Sequence, residues 1–315
     1  MPIVHPAPLQ PGDRVALVSP SGPVPEPIVV DQCREVLEKM GYSVWVGPSA
    51  HKFTDYLAGW DEERAADLNQ AFRDREIRAV FCTRGGYGAG RLLRMLDYEA
   101  MRRNPKIFAG FSDLTAVHAA LAKQCNLATF HSTTLAAAFV YESDPLTPEA
   151  REVYMKQIVS TEPVGSIREA MNWTDPIVYH GGKAEGTLVG GNLSVFGANV
   201  GTPYLPDPEG KILFLEDVGE EPYRLDRYVN QLDMSGYLGR VRGVILGQFT
   251  DAEPSNPKRE KIDVVMPRLL AHLKVPVLAN FPAGHVGRNA GLPLGCRVVL
   301  DADGGDVVLE EALCG

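Results

Sequence analysis

A two-part α/β protein is what this chain predicts. Residues 1–170 are expected to form a parallel sheet flanked by helices, and 171–315 a smaller, mainly β, barrel-like domain. Three observations carry that reading. Strand and helix signals alternate along the first half, Gly and Pro become dense among short apolar runs from Gly186 onward, and 315 residues exceed the roughly 100–200 of one ordinary domain.

The elements follow in order. Arg14–Ser19 (RVALVS) reads as a strand ending in the turn-forming PSGPVPEP. VVDQCREVLEKMGY has apolar residues at helical spacing and stops at Gly41, a C-cap residue. SVWVG is a second strand, Asp61–Asp74 a charged, Ala-rich helix, and Ile77–Cys82 a short buried strand. RLLRML reads as helical, and Lys106–Phe111 as the next strand. Strands and helices alternating in this way imply a parallel sheet covered on both faces. After about residue 140 come one helix and a connection, TEPVGSIREAMNWTDP. The later strands are GTLVGG, KILFLED, GVILGQF, VPVLANF and CRVVLDADGGDVVLEE, with a helix near Tyr223–Leu232.

Composition excludes several classes. With 45% hydrophobic and 23% charged residues and a formal net charge of −9, the chain suits a globular core and offers no basic stripe for nucleic acid. Arg102-Arg103 and Lys258-Arg259 are short and flanked by acids. The start lacks the basic and long apolar regions of a signal peptide, and no run reaches the roughly 18 apolar residues of a membrane span. Five scattered cysteines without a CxxC pair fit a reduced, cytoplasmic protein. The seven histidines lack metal-ligand spacing, so neither a metal nor a cofactor is expected.

Two strand ends stand out, because active sites of open parallel sheets gather there. CTRGGYGAGRLL leaves the strand that ends at Cys82; GFSD closes the strand that ends at Phe111 and leads straight into a helical pattern. The first has neither dinucleotide nor P-loop spacing, and it suits a tight turn, an anion cradle or an oxyanion donor. In the second, Ser112 is either a helix N-cap, worth about 1 kcal/mol, or a nucleophile displayed at a strand-to-helix corner. Leu114 stands where the G-x-S-x-G elbow has its second glycine. A base for Ser112 would come from His118, which helical spacing turns away, from His131, or from His285 on a Gly-flanked loop. An orienting carboxylate would come from Glu216 or Asp217, which end a buried strand on opposite faces. Spacing leaves that choice open.

Taken together, PGDRVALVSPSGPV, CTRGGYGAGRLL, GFSDLTAVH, GTLVGGNLSV with GTPYLP, KILFLEDVGEEPYRLDR and GHVGRNAGLPLG resemble the LD-carboxypeptidase family in the right order through nearly the whole length. The resemblance implies a flavodoxin-like or glutamine-amidotransferase-like first domain, a β-rich second domain and a homodimer. It implies Ser112 as nucleophile, His285 as general base and Glu216 as orienting acid, with the N–H groups of Gly86 and Asp113 as oxyanion donors. Arg84, Tyr87, His131 and Asn192 are the expected substrate-binding residues. The family commonly has His-Gly-Pro where this chain has His131-Ser132-Thr133, a departure outside the triad.

The activity so implied is release of terminal D-Ala from cytoplasmic murein tetrapeptide in peptidoglycan recycling. A second reading is the microcin-immunity branch, which cleaves a peptidyl-nucleotide amide and would need an aromatic against the nucleobase; Trp173 is the candidate. A third is a non-catalytic anion- or nucleotide-binding module in which Ser112 is only a cap.

Overall fold

The computed structural model describes residues 2–141, 143 and 145–315. Five strands, β1 (Arg14–Val18), β2 (Ser43–Val46), β3 (Ile77–Cys82), β4 (Ile107–Gly110) and β5 (Thr129–His131), form a parallel sheet in the order β5-β4-β3-β1-β2. β1, β3 and β4 are buried almost throughout, as runs covered on both faces must be. The covering helices are α1 (Ile28–Lys39), α2 (Asp61–Arg73), α3 (Tyr98–Arg103), α4 (Thr115–Cys125) and α5 (Leu135–Phe139). This strand order reverses between β1 and β3. Ligand crevices of such sheets open at that reversal, beyond the carboxyl ends of the strands.

RLLRML departs from its expected helix. A 3-10 turn covers Ala89–Leu92, and the regular helix waits until α3, which Asp97 caps by accepting from the Ala100 N–H. The fully buried guanidinium of Arg64 bonds the Gly88 carbonyl at 3.1 Å. That contact holds the backbone just before the turn.

α6 (Pro148–Val159) starts with Thr147 as N-cap and Pro at its first position, both strong start signals. Beyond it lie β6 (Gly165–Ser166), α7 (Ile167–Ala170), β7 (Ile177–His180), β8 (Lys183–Asn192), α8 (Leu193–Ala198), β9 (Lys211–Val218), α9 (Pro222–Met234), β10 (Gly243–Thr250), α10 (Ile262–Leu270), β11 (Val277–Ala279), β12 (Leu292–Leu294), β13 (Arg297–Asp301) and β14 (Asp306–Leu309). The second sheet has the order β6-β14-β13-β8-β9-β10-β11-β7. Its centre, β8 to β11, is parallel, and its flanks are antiparallel. α9 buries Leu225, Val229 and Leu232 on one face, the spacing of an amphipathic helix.

The two sheets are stitched together. β12 returns to pair antiparallel with β5, while β6, before residue 170, already pairs with β14. One hydrophobic cluster runs from Leu17 and Phe81 to Phe214 and Leu278. The Thr115 hydroxyl at the start of α4 accepts the Asn192 N–H at 3.0 Å, so the first turn of α4 is anchored directly to β8.

Candidate active site

Chain direction changes abruptly after β4. Phe111 is extended (φ −152°) and the next residue, Ser112, takes φ +61°, the left-handed region that non-glycine residues rarely occupy. Leu114, at 0% exposure, inserts into the core and holds the corner where the usual elbow has glycine. Phe111, not Ser112, stands at the N-cap of the 3-10 turn Ser112–Leu114. The side-chain partner of Ser112 is His285, whose Nε2 lies 3.0 Å from the serine Oγ.

His285 arrives on the loop after β11. Its Nδ1 lies 2.8 Å from Oε2 of Glu216, and its ring rests on Phe111 with centroids 4.5 Å apart. Gly284 is required beside it: φ is +129°, and a Cβ there would sit 3.1 Å from Glu216 Oε2. Glu216 is fully buried near the end of β9, and its other oxygen, Oε1, has no partner among the described residues. A buried carboxylate is costly unless paired, and His285 is the partner present. Nδ1–H donating to Glu216 leaves Nε2 free to accept the Ser112 proton.

Asp217 points to the opposite face. Its carboxylate accepts from Asn192 Nδ2 (3.0 Å), the Ser194 N–H (2.8 Å) and the Val218 N–H (2.8 Å). Burial pushes its carboxyl up to about 6. Glu216, not Asp217, therefore meets the histidine. His118 is spent within the core, between Gly110 O (2.7 Å) and Thr129 Oγ1 (2.8 Å).

The glycine loop after β3 abuts the serine. A Cβ on Gly85 would fall 2.9 Å from the Ser112 Cβ, so glycine lets the loop reach it. The N–H groups of Gly86 and Asp113 have no hydrogen-bond partner among the described residues. The Asp113 side chain accepts the Ser21 hydroxyl (2.6 Å) and the Ala89 N–H (2.7 Å) through Oδ2. Burial pushes its carboxyl up. Ser21 follows β1 and Ala89 follows β3, so one carboxylate ties together three strand ends. Two cavities adjoin this arrangement. One of about 880 Å³ lies between the glycine loop and α8, with Tyr87, Arg94, Asp113, Ser194, Tyr204 and Glu220 on its walls. The other, about 140 Å³, lies against His285.

Residues 15–132 match the LD-carboxypeptidase N-terminal domain and 185–300 the LD-carboxypeptidase C-terminal domain. The chain belongs to the LD-carboxypeptidase family. It is similar to a probable murein peptide carboxypeptidase of Bacillus subtilis, at 36% identity over 98% of this chain and 95% of the relative. With the murein tetrapeptide carboxypeptidase of Pseudomonas aeruginosa it shares 33% identity over 92% and 94%. A solved structure of the microcin C7 self-immunity protein MccF in complex with aspartyl sulfamoyl adenosine superposes with a TM-score of 0.86, at 27% identity over 99% of this chain and 100% of the other.

The remaining residues singled out in this member of the family take varied places. Tyr87 is 56% exposed at the mouth of the large cavity. Arg84 bonds the Pro23 carbonyl at 2.6 Å. Asn192 is buried and engaged at both ends of its amide: it caps α8 through Oδ1 and donates to Asp217. His131 is fully buried between Phe111 and Phe214, with both ring nitrogens unpartnered among the described residues, and burial holds it well below the ordinary histidine value. Trp173 corrects an expectation. At 1% exposure it packs edge-on against Phe281, which leaves it no face for a nucleobase.

Sequence reasoning missed the Asp113 carboxylate, the Phe111 ring beneath His285, and Arg64, whose guanidinium also bonds the carbonyls of Gly59 and Pro20. The one available signal was an arginine amid the buried stripe of a charged helix. No helix of the described residues is long and apolar enough to cross a membrane. Among those residues, no group of three or more His, Cys, Asp or Glu is placed to hold a metal ion.

Proposed function

We propose that this chain is a serine carboxypeptidase that hydrolyses the L,D-peptide bond before the terminal D-Ala of a murein tetrapeptide, in the cytoplasm. The continuous contact from Ser112 through His285 to Glu216 carries this reading. Ser112 Oγ attacks the carbonyl carbon as Nε2 takes its proton, and the imidazolium is stabilised by the Glu216 carboxylate. The N–H groups of Gly86 and Asp113 hold the negative oxygen of the tetrahedral intermediate. Nε2 then protonates the departing amine, which leaves as D-Ala. Water, deprotonated by the same nitrogen, cleaves the acyl-ester and restores Ser112.

The names of the similar murein carboxypeptidases support the substrate class. The buried Trp173 favours a murein peptide over a peptidyl-nucleotide. Mass spectrometry of purified murein tetrapeptide after incubation tests the proposal: loss of one alanine is expected. An unchanged tetrapeptide, with cleavage of an aminoacyl-sulfamoyl or aminoacyl-phosphoramidate adenosine analogue, would instead favour the microcin-type activity.

A further inference from the structure

Resting on that reading, we infer that the 140 Å³ cavity beside His285 is the subsite for the departing residue, and that Thr133 and Tyr141 recognise its free carboxylate. The cavity is lined by Phe111, Thr133, Ala137, Tyr141 and His285 among others. It shares no lining residue with the 880 Å³ cavity on the glycine-loop side. Ser112 lies between them in the chain, with Phe111 on the wall of the small cavity and Asp113 on the wall of the large one. The group that protonates the leaving amine is His285, so the leaving residue must lie on the His285 side. The acyl portion, whose carbonyl oxygen faces Gly86 and Asp113, extends the other way into the larger space.

Size and polarity both fit. A space of about 140 Å³ holds a residue of alanine size and excludes long side chains. Its apolar walls, Phe111, Ala137 and Val286, suit a methyl group. Thr133 is 7% exposed, and its Oγ1 and the Tyr141 hydroxyl are buried without a partner among the described residues. Two residues that line one small cavity thus each carry an orphaned hydroxyl, which is costly unless a ligand satisfies it. A carboxylate accepts from both. Burial pushes the Tyr141 phenol up, and the Arg84 cation partly offsets that shift.

The experiment compares hydrolysis of a tetrapeptide ending in free D-Ala with that of its C-terminal amide, in wild type, T133V and Y141F. Hydrogen bonds to a charged group are each worth roughly ten- to a hundredfold. Wild type should therefore prefer the free acid by more than about a hundredfold, and each variant should narrow that ratio roughly tenfold. A137L narrows the cavity and should shift the preference from terminal D-Ala towards terminal Gly. Wild type cleaving acid and amide alike, or T133V and Y141F keeping the wild-type ratio, overturns the assignment. If wild type hydrolyses neither peptide, the proposed function falls and saturation-transfer NMR decides the subsite. Binding of D-alanine over D-alaninamide, lost in T133V, then supports it, and equal signals refute it.

Discussion

Ser21 and Asp113, 92 positions apart, are joined by a 2.6 Å hydrogen bond, and the same Asp113 oxygen accepts the Ala89 N–H. The residue whose backbone N–H lies beside Ser112 thus also fixes the glycine loop by its side chain. Asp113→Ala removes the one oxygen that both donors face and leaves the Ser21 hydroxyl and the Ala89 N–H unpaired while keeping the backbone N–H. Urea unfolding should show a loss of about 1–3 kcal/mol. The kcat should fall about tenfold, with KM changing less, because the oxyanion is bound only after attack. An unchanged kcat would exclude this positioning role.

Glu216→Gln keeps the side-chain volume while removing the charge that stabilises the imidazolium. Loss of the orienting carboxylate in serine triads lowers kcat by about 10⁴, and a drop of that order is expected from steady-state rates. Asp217→Asn should spare catalysis by comparison, since Asp217 faces α8. Equal rate losses in the two variants would contradict the assignment of Glu216.

At Gly284, alanine would place a methyl 3.1 Å from Glu216 Oε2 and 3.2 Å from the Gln248 carbonyl, at φ +129°. Displacing the His285–Glu216 contact by about 1 Å should cost on the order of a hundredfold in kcat. Circular dichroism should remain native. A fully active Gly284→Ala enzyme would show that this contact tolerates displacement.

His118 gives a pH prediction. Burial pushes it down from 6.5 to about 4, so the folded protein keeps it neutral while the unfolded chain takes up a proton. Its contribution to stability is complete above pH 6.5 and is lost as pH falls towards 4, by up to about 3 kcal/mol. Nε2–H donating to Gly110 O with Nδ1 accepting from Thr129 requires that neutral form. Gln can make both bonds without titrating. His118→Gln should therefore flatten the stability profile between pH 4 and 6.5 in urea titrations, and an unaltered slope would argue against a neutral buried ring.

The strand–helix alternation was legible because β1, β3 and β4 are short apolar runs bounded by turns, and because α1, α2 and α9 carry helical spacing. RLLRML was misread because its spacing is helical, whereas the Arg64 contact to the preceding loop is tertiary. β6 is two residues long and β12 three, too short to announce which sheet they join. Ser112 could be placed at a corner from GFSD alone. Its left-handed backbone and its place inside the turn, not at the cap, were not visible, since both depend on where Leu114 and His285 pack. Alternation set Glu216 and Asp217 on opposite faces; the family resemblance pointed to Glu216, and the His285 it meets lies 69 residues away in sequence. Trp173 looked available because its stretch resembled a linker, and only the packing of Phe281 shows it to be core.

The central claim is that Ser112 forms the acyl-enzyme. Wild type and Ser112→Ala, both natively folded, should be mixed with murein tetrapeptide, quenched within one turnover and examined by intact-mass and peptide mass spectrometry. Wild type should carry a tripeptidyl adduct on the peptide containing Ser112 and release one equivalent of alanine, while Ser112→Ala should do neither. Alanine release by Ser112→Ala at the wild-type rate would contradict the account.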